Sequence, residues 1–312
     1  MADPAPPAID SRRRGGRRRR YPERWALVSP AVLAMVMVLL LPLFYALYLS
    51  FIHYDLTDPA NHGYTGLANY RAFFGDGRFK SALRNTALLA AGATVLEFVL
   101  GFVIALALAK PGLRGRNWYL TILIVPMLMP YVAGGLIWLL LLHPTLGIVN
   151  YVISLLGPNA PQWLSSPGMA RLTIILVDAW HNTGWMVLIL LAGLLALPEE
   201  PYQAASADGA GVLQRFRYVT LPLLRPTILT ALVIKLIGAL LSFDLIYILT
   251  QGGPGDSTQT LSFYIWRIAF QDLDIGKAAA ASYAFFLVIV LLVLVLMRLL
   301  PDATRGSDAR RT

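Results

Sequence analysis

Long apolar segments dominate this 312-residue chain and restrict the folds open to it. A helix needs about 20 apolar residues to cross the roughly 30 Å hydrocarbon core of a bilayer. Within lipid, each backbone N–H and C=O group must find its partner inside the protein, which favours helices for separate stretches of this length. The pattern predicts an all-α fold, a polytopic membrane helix bundle with six transmembrane helices at about 25–50, 82–109, 118–142, 171–197, 226–250 and 277–300.

The composition excludes an ordinary soluble domain. Hydrophobic residues make up 57% of the chain and charged residues 14%, whereas soluble domains carry about 25% charged residues. The chain has no cysteine, so disulfides, thiolate metal sites and cysteine nucleophiles are excluded as well.

The N-terminal tail, 1–24, carries a cluster of positive charge within a chain of net charge +9. A basic cluster directly before an apolar segment fits an anionic lipid surface better than a nucleic acid. We therefore expect a disordered cytoplasmic tail that contacts membrane lipid, and no nucleic-acid partner. Its eight arginines are Arg12, Arg13, Arg14, Arg17, Arg18, Arg19, Arg20 and Arg24.

The distribution of basic residues predicts the orientation of the membrane domain, 25–300. With the N-terminus inside, eighteen of the 26 lysine and arginine residues fall on the inner side and seven on the outer side. Inner loops are enriched in these residues, so both termini, including a tail at 301–312, are predicted to be cytoplasmic. We expect no cleaved signal peptide, because the apolar stretch from Trp25 exceeds the length of a signal's apolar region.

A polar loop at 198–225 separates the fourth and fifth predicted helices. Its alanine-rich start predicts a short helix over Tyr202–Ala207, and Asp208-Gly209 predicts a turn in which glycine takes a positive φ. A second short helix is expected over Val212–Val219, ended by Pro222. Small exposed residues allow another protein to approach closely, so this loop predicts a cytoplasmic docking surface. A mere connector between helices is the alternative.

Several ionisable side chains fall within the predicted helices, where a lone charge is costly and marks a candidate functional site. They are Glu97, Asp178, His181, Lys235 and Asp244.

One helix face combines polar and aromatic residues. Asp178, Asn182 and Trp185 are spaced i, i+4, i+7 and share a face, which could line an aqueous path. Asn182 can bond hydroxyl groups, and Trp180 and Trp185 offer flat surfaces for a sugar ring. Packing between helices is the alternative for these residues, and Gly184 is expected to permit close approach of two helices.

Lys235 and Asp244 are nine residues apart, a rise of about 13.5 Å in a helix, so they cannot pair directly. Lys235 is expected to pair with a carboxylate of a partner protein or to extend toward the cytoplasm. Asp244 could accept hydrogen bonds from a polyol or make a structural pair. Glu97 could be protonated in lipid or contact polar groups near Arg84.

The sequence offers no enzyme site. The four histidines are dispersed without metal-ligand spacing, and neither a nucleophile elbow nor a phosphate-binding loop of the Gly-x-x-x-x-Gly-Lys-Ser/Thr type occurs. We therefore expect a protein that is not an enzyme, with no catalytic residues, no metal site and no cofactor of its own. Any energy from ATP has to come from another subunit.

Several motifs resemble those of a known family. The run Gln203-Ala-Ala-Ser-Ala-Asp-Gly209 followed by Leu221-Pro222 resembles the EAA loop of permease subunits in binding-protein-dependent ABC importers. Further motifs resemble the carbohydrate branch of that family, in particular its first-permease type in maltose and glycerol-3-phosphate systems. They are Gly66-Leu-Ala-Asn-Tyr70, Leu83-Arg-Asn-Thr86, Trp180-His-Asn-Thr-Gly184, Leu191-Ala-Gly-Leu194, Phe243-Asp-Leu-Ile-Tyr247 and Thr250-Gln-Gly-Gly-Pro254.

The resemblance, which covers about 25–300, implies a location in the bacterial inner membrane and a set of partners. These are cytoplasmic ABC ATPase subunits, a second homologous permease, an extracytoplasmic sugar-binding protein and a carbohydrate substrate. The loop would be the coupling helix that docks on the ATPase. Its implied coupling residues are Tyr202, Gln203, Ala204, Ala205, Asp208, Gly209 and Pro222.

The chain departs from the family at Gln203, where the family usually has Glu. A contact to the ATPase would then be a neutral hydrogen bond, which is weaker than a charge-assisted one. The segment Gln251–Asp256 is expected to form a fixed reversal at the outer surface, with docking of a binding protein as a second interpretation.

The favoured hypothesis is a translocation subunit of an ATP-driven sugar importer, with Asp178, Asn182, Trp185 and Asp244 as candidates for the substrate path. A rival is a self-contained secondary transporter in which Glu97, Asp178 and Asp244 relay protons or ions. A membrane scaffold without transport is a third, weaker interpretation.

Overall fold

The computed structural model describes residues 22–299, apart from 59, 156 and 158–160. Residues 1–21 of the predicted basic tail lie outside the described residues, and so does the whole predicted tail at 301–312.

Helices account for nearly all regular structure in this part of the chain, which confirms the all-α membrane bundle. The only described strands form a two-stranded antiparallel ribbon, β1 (Ile52–His53) with β2 (Gly63–Tyr64). The helices are α1 (Pro22–Ser50), α2 (Ala68–Gly75), α3 (Gly77–Leu108), α4 (Arg116–Ile124), α5 (Tyr131–Leu141), α6 (Ile148–Ser154), α7 (Pro167–Leu195), α8 (Glu200–Ala207), α9 (Val212–Arg215), α10 (Leu221–Leu240), α11 (Asp244–Leu249), α12 (Leu261–Phe270) and α13 (Ile275–Leu299).

Five helical stretches within the described ranges are long and apolar enough to cross a membrane, namely Val28–Ser50, Gly77–Leu108, Pro167–Leu195, Val212–Leu240 and Ile275–Leu296. They lie at five of the six predicted positions. The part of α1 up to Ala46 forms one compact unit and the chain from Leu47 onward a second.

The third predicted span, 118–142, is interrupted. It consists of α4, a 3₁₀ turn at Pro126–Leu128 and α5. Pro130 has no N–H and forces the preceding residue, Met129, into an extended conformation (ψ 144°), which ends the turn. Nε2 of His181 on α7 lies 3.0 Å from the Met129 carbonyl oxygen and so provides a partner at the break.

The fifth predicted span, 226–250, also differs from the prediction. α10 starts earlier, at Leu221, and ends at Leu240, and a break at 241–243 precedes α11. Pro222 does not end the helix before it: a π-helical turn at Phe216–Thr220 leads straight into α10, with Pro222 in its first turn. Proline has no N–H to give to an i→i−4 bond, and the helix directly before Pro222 has the wider i→i+5 bonding of a π-helical turn, as in the bond from the Leu221 N–H to the Phe216 carbonyl.

Close packing of α3, α7 and α10 forms the centre of the second unit. Ala105 of α3, Met186 and Leu190 of α7 and Leu224 of α10 are fully buried in one apolar cluster. Such packing leaves little room for added atoms. A Cβ at Gly101 of α3 would lie 2.6 Å from Cγ of Met186.

Gly184 of α7 permits a close approach to α4, as predicted. A Cβ at this position would overlap the Leu123 carbonyl oxygen and lie 2.8 Å from the carbonyl carbon. Backbone atoms cannot move aside as the end of a flexible side chain can, so only glycine fits here.

A buried ion triad joins the same three long helices. Nζ of Lys235 on α10 lies 2.8 Å from Oε1 of Glu97 on α3 and 3.0 Å from Oδ2 of Asp178 on α7. The three side chains are 7%, 0% and 8% exposed. The predictions that Lys235 pairs with another protein or extends toward the cytoplasm, and that Glu97 lies in lipid or meets groups near Arg84, are wrong, because each has its partner within this bundle.

Two of the quoted motifs meet at the end of the bundle opposite the 198–225 loop. Nδ2 of Asn85 donates to the carbonyl oxygens of Asp256 (2.8 Å) and Gln259 (3.2 Å). Nε of Arg171 on α7 donates to the Ser257 carbonyl (2.8 Å). Thr258 donates to the Gly253 carbonyl (2.7 Å). The segment after α11 is thus a fixed reversal, held by α3 and α7.

Asp76 caps α3 at this end. Its carboxylate accepts from the backbone N–H of Arg78 (2.8 Å) and the hydroxyl of Tyr264 (2.9 Å), and Nζ of Lys277 lies 3.7 Å away. Burial acts to raise the pKa of the Asp76 carboxyl, but the two hydrogen bonds and the charges of Lys277 and Arg78 hold it below its ordinary value. The carboxylate therefore stays ionised and ties α3 to α12 and α13.

Gly184→Ala is expected to lower stability by about 1–3 kcal/mol, the range for overpacking a dense interior. The measurement is thermal unfolding of the detergent-solubilised chain. Gly238→Ala on α10 is the matched control, since a Cβ there meets nothing within 4 Å. Equal unfolding temperatures for the two variants would contradict the close approach of α4 and α7.

Lys235→Met is expected to lower stability by about 3–5 kcal/mol, because it leaves two buried carboxylates without their counter-ion. The matched variant replaces the whole triad (Glu97→Gln, Lys235→Met, Asp178→Asn) and should recover much of the loss, since no buried charge then remains. Thermal unfolding compares the two. A single replacement as stable as the parent, or a triple replacement worse than the single one, would refute the role assigned to the triad.

Candidate functional site

A cavity of about 350 Å³ lies among α5, α7, α10 and α11. All four residues predicted to line a path, on two different helices, line this one cavity. The lining consists of Tyr131, Asp178, Asn182, Trp185, Ile234, Lys235, Gly238, Ala239, Leu241, Ser242, Phe243, Asp244 and Leu245.

Breaks in two helices open this space. α5 begins at Tyr131, directly after the proline break, and α10 ends at Leu240 before the irregular residues 241–243. Irregular backbone at membrane depth is tolerated where it is buried in protein or lines a water-filled cavity. The sequence did not predict either break as a boundary of a site.

A chain of polar contacts crosses the cavity wall. Oδ1 of Asp178 accepts from Nδ2 of Asn182 (2.9 Å), and Oδ1 of Asn182 accepts from the Tyr131 hydroxyl (3.0 Å). Oδ2 of Asp178 meets Nζ of Lys235 (3.0 Å). The contacts run from α10 through α7 to α5, so they fix the side chains of the wall in one arrangement.

Glu97 lies behind this wall and does not line the cavity. Its Oε1 lies 2.8 Å from Nζ of Lys235, and Oε2 has no hydrogen-bond partner among the described residues. The triad therefore has a carboxylate oxygen that accepts no hydrogen bond from the described residues.

Asp244 has a different environment from Asp178. It is exposed, lies in the first turn of α11, and makes no ion pair or side-chain hydrogen bond in the part of the chain that the structure describes. Next to it, the Phe243 ring stacks on Tyr247 (5.5 Å between centroids) and lies 5.8 Å from Trp266. Aromatic packing of Phe243 thus fixes the backbone next to Asp244, whose carboxylate makes no ion pair with the described residues.

Two further candidates on α7 lie away from the cavity. His181 is buried, stacks on Tyr131 at 4.1 Å and contacts the Met129 carbonyl. Trp180 packs edge-on against Trp138 at 5.5 Å. These two residues support the broken span, and Trp185 alone of the two tryptophans lines the cavity.

The loop at 198–225 forms the second candidate site. α8 ends in a Schellman motif in which the Ala210 N–H donates to the Ala205 carbonyl (2.9 Å) and the Gly209 N–H to the Ser206 carbonyl (3.1 Å). Gly209 has φ +76°, a conformation that other L residues adopt only with strain. The predicted turn at Asp208-Gly209 is confirmed.

The residues predicted to couple this loop differ in exposure. Tyr202 is half-buried and donates from its hydroxyl to Oγ1 of Thr220 (2.9 Å), so it attaches α8 to the start of α10. Ala205 is also half-buried. The exposed members are Gln203, Ala204, Asp208, Gly209 and Pro222.

Two apolar residues of this surface were not predicted from the sequence. Val212 and Leu213 of α9 are each 77% exposed, beside the small residues of α8. The available signal was a pair of consecutive apolar side chains directly after a run of small and polar residues, 203–211. Behind them, the Phe216 ring lies 6.0 Å from Phe102 of α3, which attaches the loop to the bundle.

Known proteins resemble this chain over most of its length. Residues 97–305 match the family described as binding-protein-dependent transport system inner membrane component. A sulfoquinovosyl glycerol transport system permease protein of Agrobacterium fabrum is 34% identical, over 88% of this chain and 89% of that protein. A trehalose/maltose transport system permease protein of Thermococcus litoralis is 32% identical, over 88% and 92%.

A solved structure has the same fold. It is a chain of a bacterial ABC transporter involved in the import of the acidic polysaccharide alginate, with a TM-score of 0.78 and 24% identity, covering 90% of this chain and 96% of that one. The family match spans most of the chain and includes the loop, the triad and the cavity. The chain therefore belongs to the binding-protein-dependent transport system inner membrane components, as a multi-pass permease and not an enzyme.

Proposed function

We propose that this permease forms part of the translocation path of an ATP-driven importer for a carbohydrate: a sugar, an oligosaccharide or a polyol. The observation that carries the proposal is the cavity between the broken helices, where Asp178, Asn182, Trp185 and Asp244 meet. A path through a membrane has to offer polar groups at a depth where lipid offers none, and this cavity does so.

The chemistry of the cavity suits a polyhydroxylated ligand. Sugars combine hydroxyl groups with flat apolar ring faces, and they bind where hydrogen-bonding side chains lie next to aromatic surfaces. Carboxylates of Asp178 and Asp244 accept from hydroxyls, and Trp185 and Phe243 provide the aromatic surface. The relatives named for trehalose/maltose and for sulfoquinovosyl glycerol transport support the sugar class for this chain.

Energy reaches the cavity through the loop at 198–225, which docks on a separate ATPase subunit in the cytoplasm. Its exposed face combines the small residues of α8 with Val212 and Leu213, an apolar surface in a position that lipid does not cover. From Leu221, α10 continues to Lys235 at the cavity wall, a rise of about 21 Å at 1.5 Å per residue. A displacement of the loop is thereby transmitted to the wall by one helix.

Gln203 is exposed at the surface of α8 and offers its side-chain amide to the ATPase. The contact is a neutral hydrogen bond where the family usually has an acid, so it is weaker and less dependent on salt. The apolar contact of Val212 and Leu213 compensates for part of this loss.

The proposed orientation has both termini and the loop in the cytoplasm, supported by the excess of basic residues on that side. A second, homologous permease completes the path, and an extracytoplasmic binding protein delivers the sugar at the end held by Asn85 and Arg171. The buried reversal at 257–260 gives that end a rigid surface.

The ion-coupled alternative is less consistent with the charges. A relay through Glu97, Asp178 and Asp244 needs carboxylates that exchange protons freely, but Lys235 lies between the first two and pairs with both. Asp244 is the one carboxylate of the three that makes no ion pair with the described residues.

Gly209→Arg and Ala205→Trp are expected to reduce sugar uptake at least tenfold and to leave the amount of protein in the membrane unchanged. The first introduces a side chain at φ +76°, and the second adds bulk to the docking surface. Uptake by cells or vesicles is measured against immunoblots of the membrane fraction. Gly209→Asn is the control, because asparagine tolerates a positive φ. Normal uptake by both test variants would refute the coupling role.

Trp185→Leu is expected to raise the KM for uptake about tenfold, corresponding to the loss of roughly 1.4 kcal/mol of aromatic contact with the sugar. Trp180→Leu, on the same helix but outside the lining, is the matched control and should leave the KM within about twofold. Initial rates of labelled sugar uptake give both values. Equal effects of the two replacements would argue against a substrate path through this cavity.

A further inference from the structure

The charges of the cavity are arranged unevenly. Three charged residues line it, Asp178, Lys235 and Asp244, and Glu97 lies directly behind Lys235. We propose that this arrangement selects ligands by charge: the cavity accepts neutral polyhydroxylated or ammonium-bearing ligands and rejects anions such as phosphorylated, sulfonated or carboxylated sugars. The proposal rests on the proposed function, since it assigns a ligand class to the same cavity.

The cavity's one cation is not available to an anionic ligand. Nζ of Lys235 lies 2.8 Å from Glu97 and 3.0 Å from Asp178, and the side chain is 7% exposed. To bind an anion, Lys235 would have to leave two buried carboxylates, which are costly without a counter-ion. Its positive charge is more than balanced by the two groups beside it.

Asp244 adds a negative charge that no described residue balances. With all four groups ionised, the sum over Glu97, Asp178, Lys235 and Asp244 is −2, and a proton on either triad carboxylate leaves it at −1. The low dielectric of the surroundings strengthens repulsion of a second anion. The sum therefore stays negative when one triad carboxylate carries a proton.

The C-terminus of α10 contributes in the same direction, whereas the N-termini of α5 and α11, at Tyr131 and Asp244, contribute a partial positive charge. α10 ends at Leu240, and the residues at and just beyond its C-terminus, Ala239, Leu241 and Ser242, line the cavity. The last carbonyl groups of a helix carry a partial negative charge. Hydroxyl and ammonium donors of a ligand find acceptors there, whereas phosphate or carboxylate oxygens do not.

Few donors remain in the side chains of the wall. The Asn182 amide gives one hydrogen to the Asp178 carboxylate and one to its carbonyl, and the Tyr131 hydroxyl donates to Asn182. The Trp185 indole N–H and the Ser242 hydroxyl remain as donors, beside acceptors on Asp178, Asp244 and the end of α10. This balance favours a ligand rich in hydroxyl groups.

The absence of cysteine allows a test of charge selection whose labelling step needs no knowledge of the substrate. Gly238 lines the cavity, and a Cβ there meets nothing within 4 Å, so Gly238→Cys introduces one thiol with little strain. Ser242→Cys, a near-isosteric replacement in the same lining, is the second site. Purified transporter complexes are treated with two methanethiosulfonates of similar size, one bearing trimethylammonium and the other sulfonate.

For each reagent, the second-order rate constant at the introduced cysteine is divided by the rate constant of the same reagent with 2-mercaptoethanol. The ratio of this corrected rate for the cationic reagent to that for the anionic reagent should be at least ten at both sites. Asp244→Asn should reduce the ratio at least threefold, and Asp244→Lys should reduce it further. Leu146→Cys, 86% exposed and outside the cavity, is the control and should give a ratio near one; the parent complex gives the background.

A ratio at or below one at both cavity sites, or no response to Asp244→Asn, would overturn charge selection. Failure of the proposed function has a different signature, because saturating transported sugar should slow labelling at Gly238→Cys. Charge preference without protection by that sugar would mean that the cavity is anion-excluding but is not the substrate path.

Discussion

Lys235 is the point on which the arrangement of α3, α7 and α10 depends. It meets Glu97 and Asp178 at 2.8 and 3.0 Å in surroundings with almost no exposed surface. A lone charge at such a place is costly, so the three helices have to stay together for any of the three groups to remain ionised. The contacts of Asp178 with Asn182, and of Asn182 with Tyr131, extend this constraint to the broken span and so shape the cavity.

Breaks in two helices create a cavity next to these three packed helices. The proline break before α5 and the break after α10 expose backbone at membrane depth, and His181 and the aromatic residues around Phe243 stabilise the two breaks. α10 is continuous on the other side, from the π-helical turn behind α9 to Lys235. One helix thus carries the loop at one end and the charged wall of the cavity near the other.

The class of fold could be predicted from the length of the apolar segments, and the shared face of Asp178, Asn182 and Trp185 from helical spacing. The contact of Gly184 also followed from its residue type. The partners of Lys235 did not, because Glu97 and Asp178 are 138 and 57 positions away and no local pattern pairs them. The break at 241–243 was missed because hydropathy does not distinguish one long helix from two short ones. Pro222 was wrongly predicted to end a helix, because the π-helical turn before it accommodates proline.

The central claim is that nucleotide at a separate subunit changes the cavity through the loop. The direct measurement places Ser242→Cys in proteoliposomes with the ATPase subunits and the second permease, and follows labelling by an impermeant thiol reagent from the side opposite the loop. The account predicts that ATP changes the labelling rate severalfold, and that Ala205→Trp abolishes this response while the complex still assembles. The same ATP response with and without Ala205→Trp would contradict the account, and so would no response in either complex.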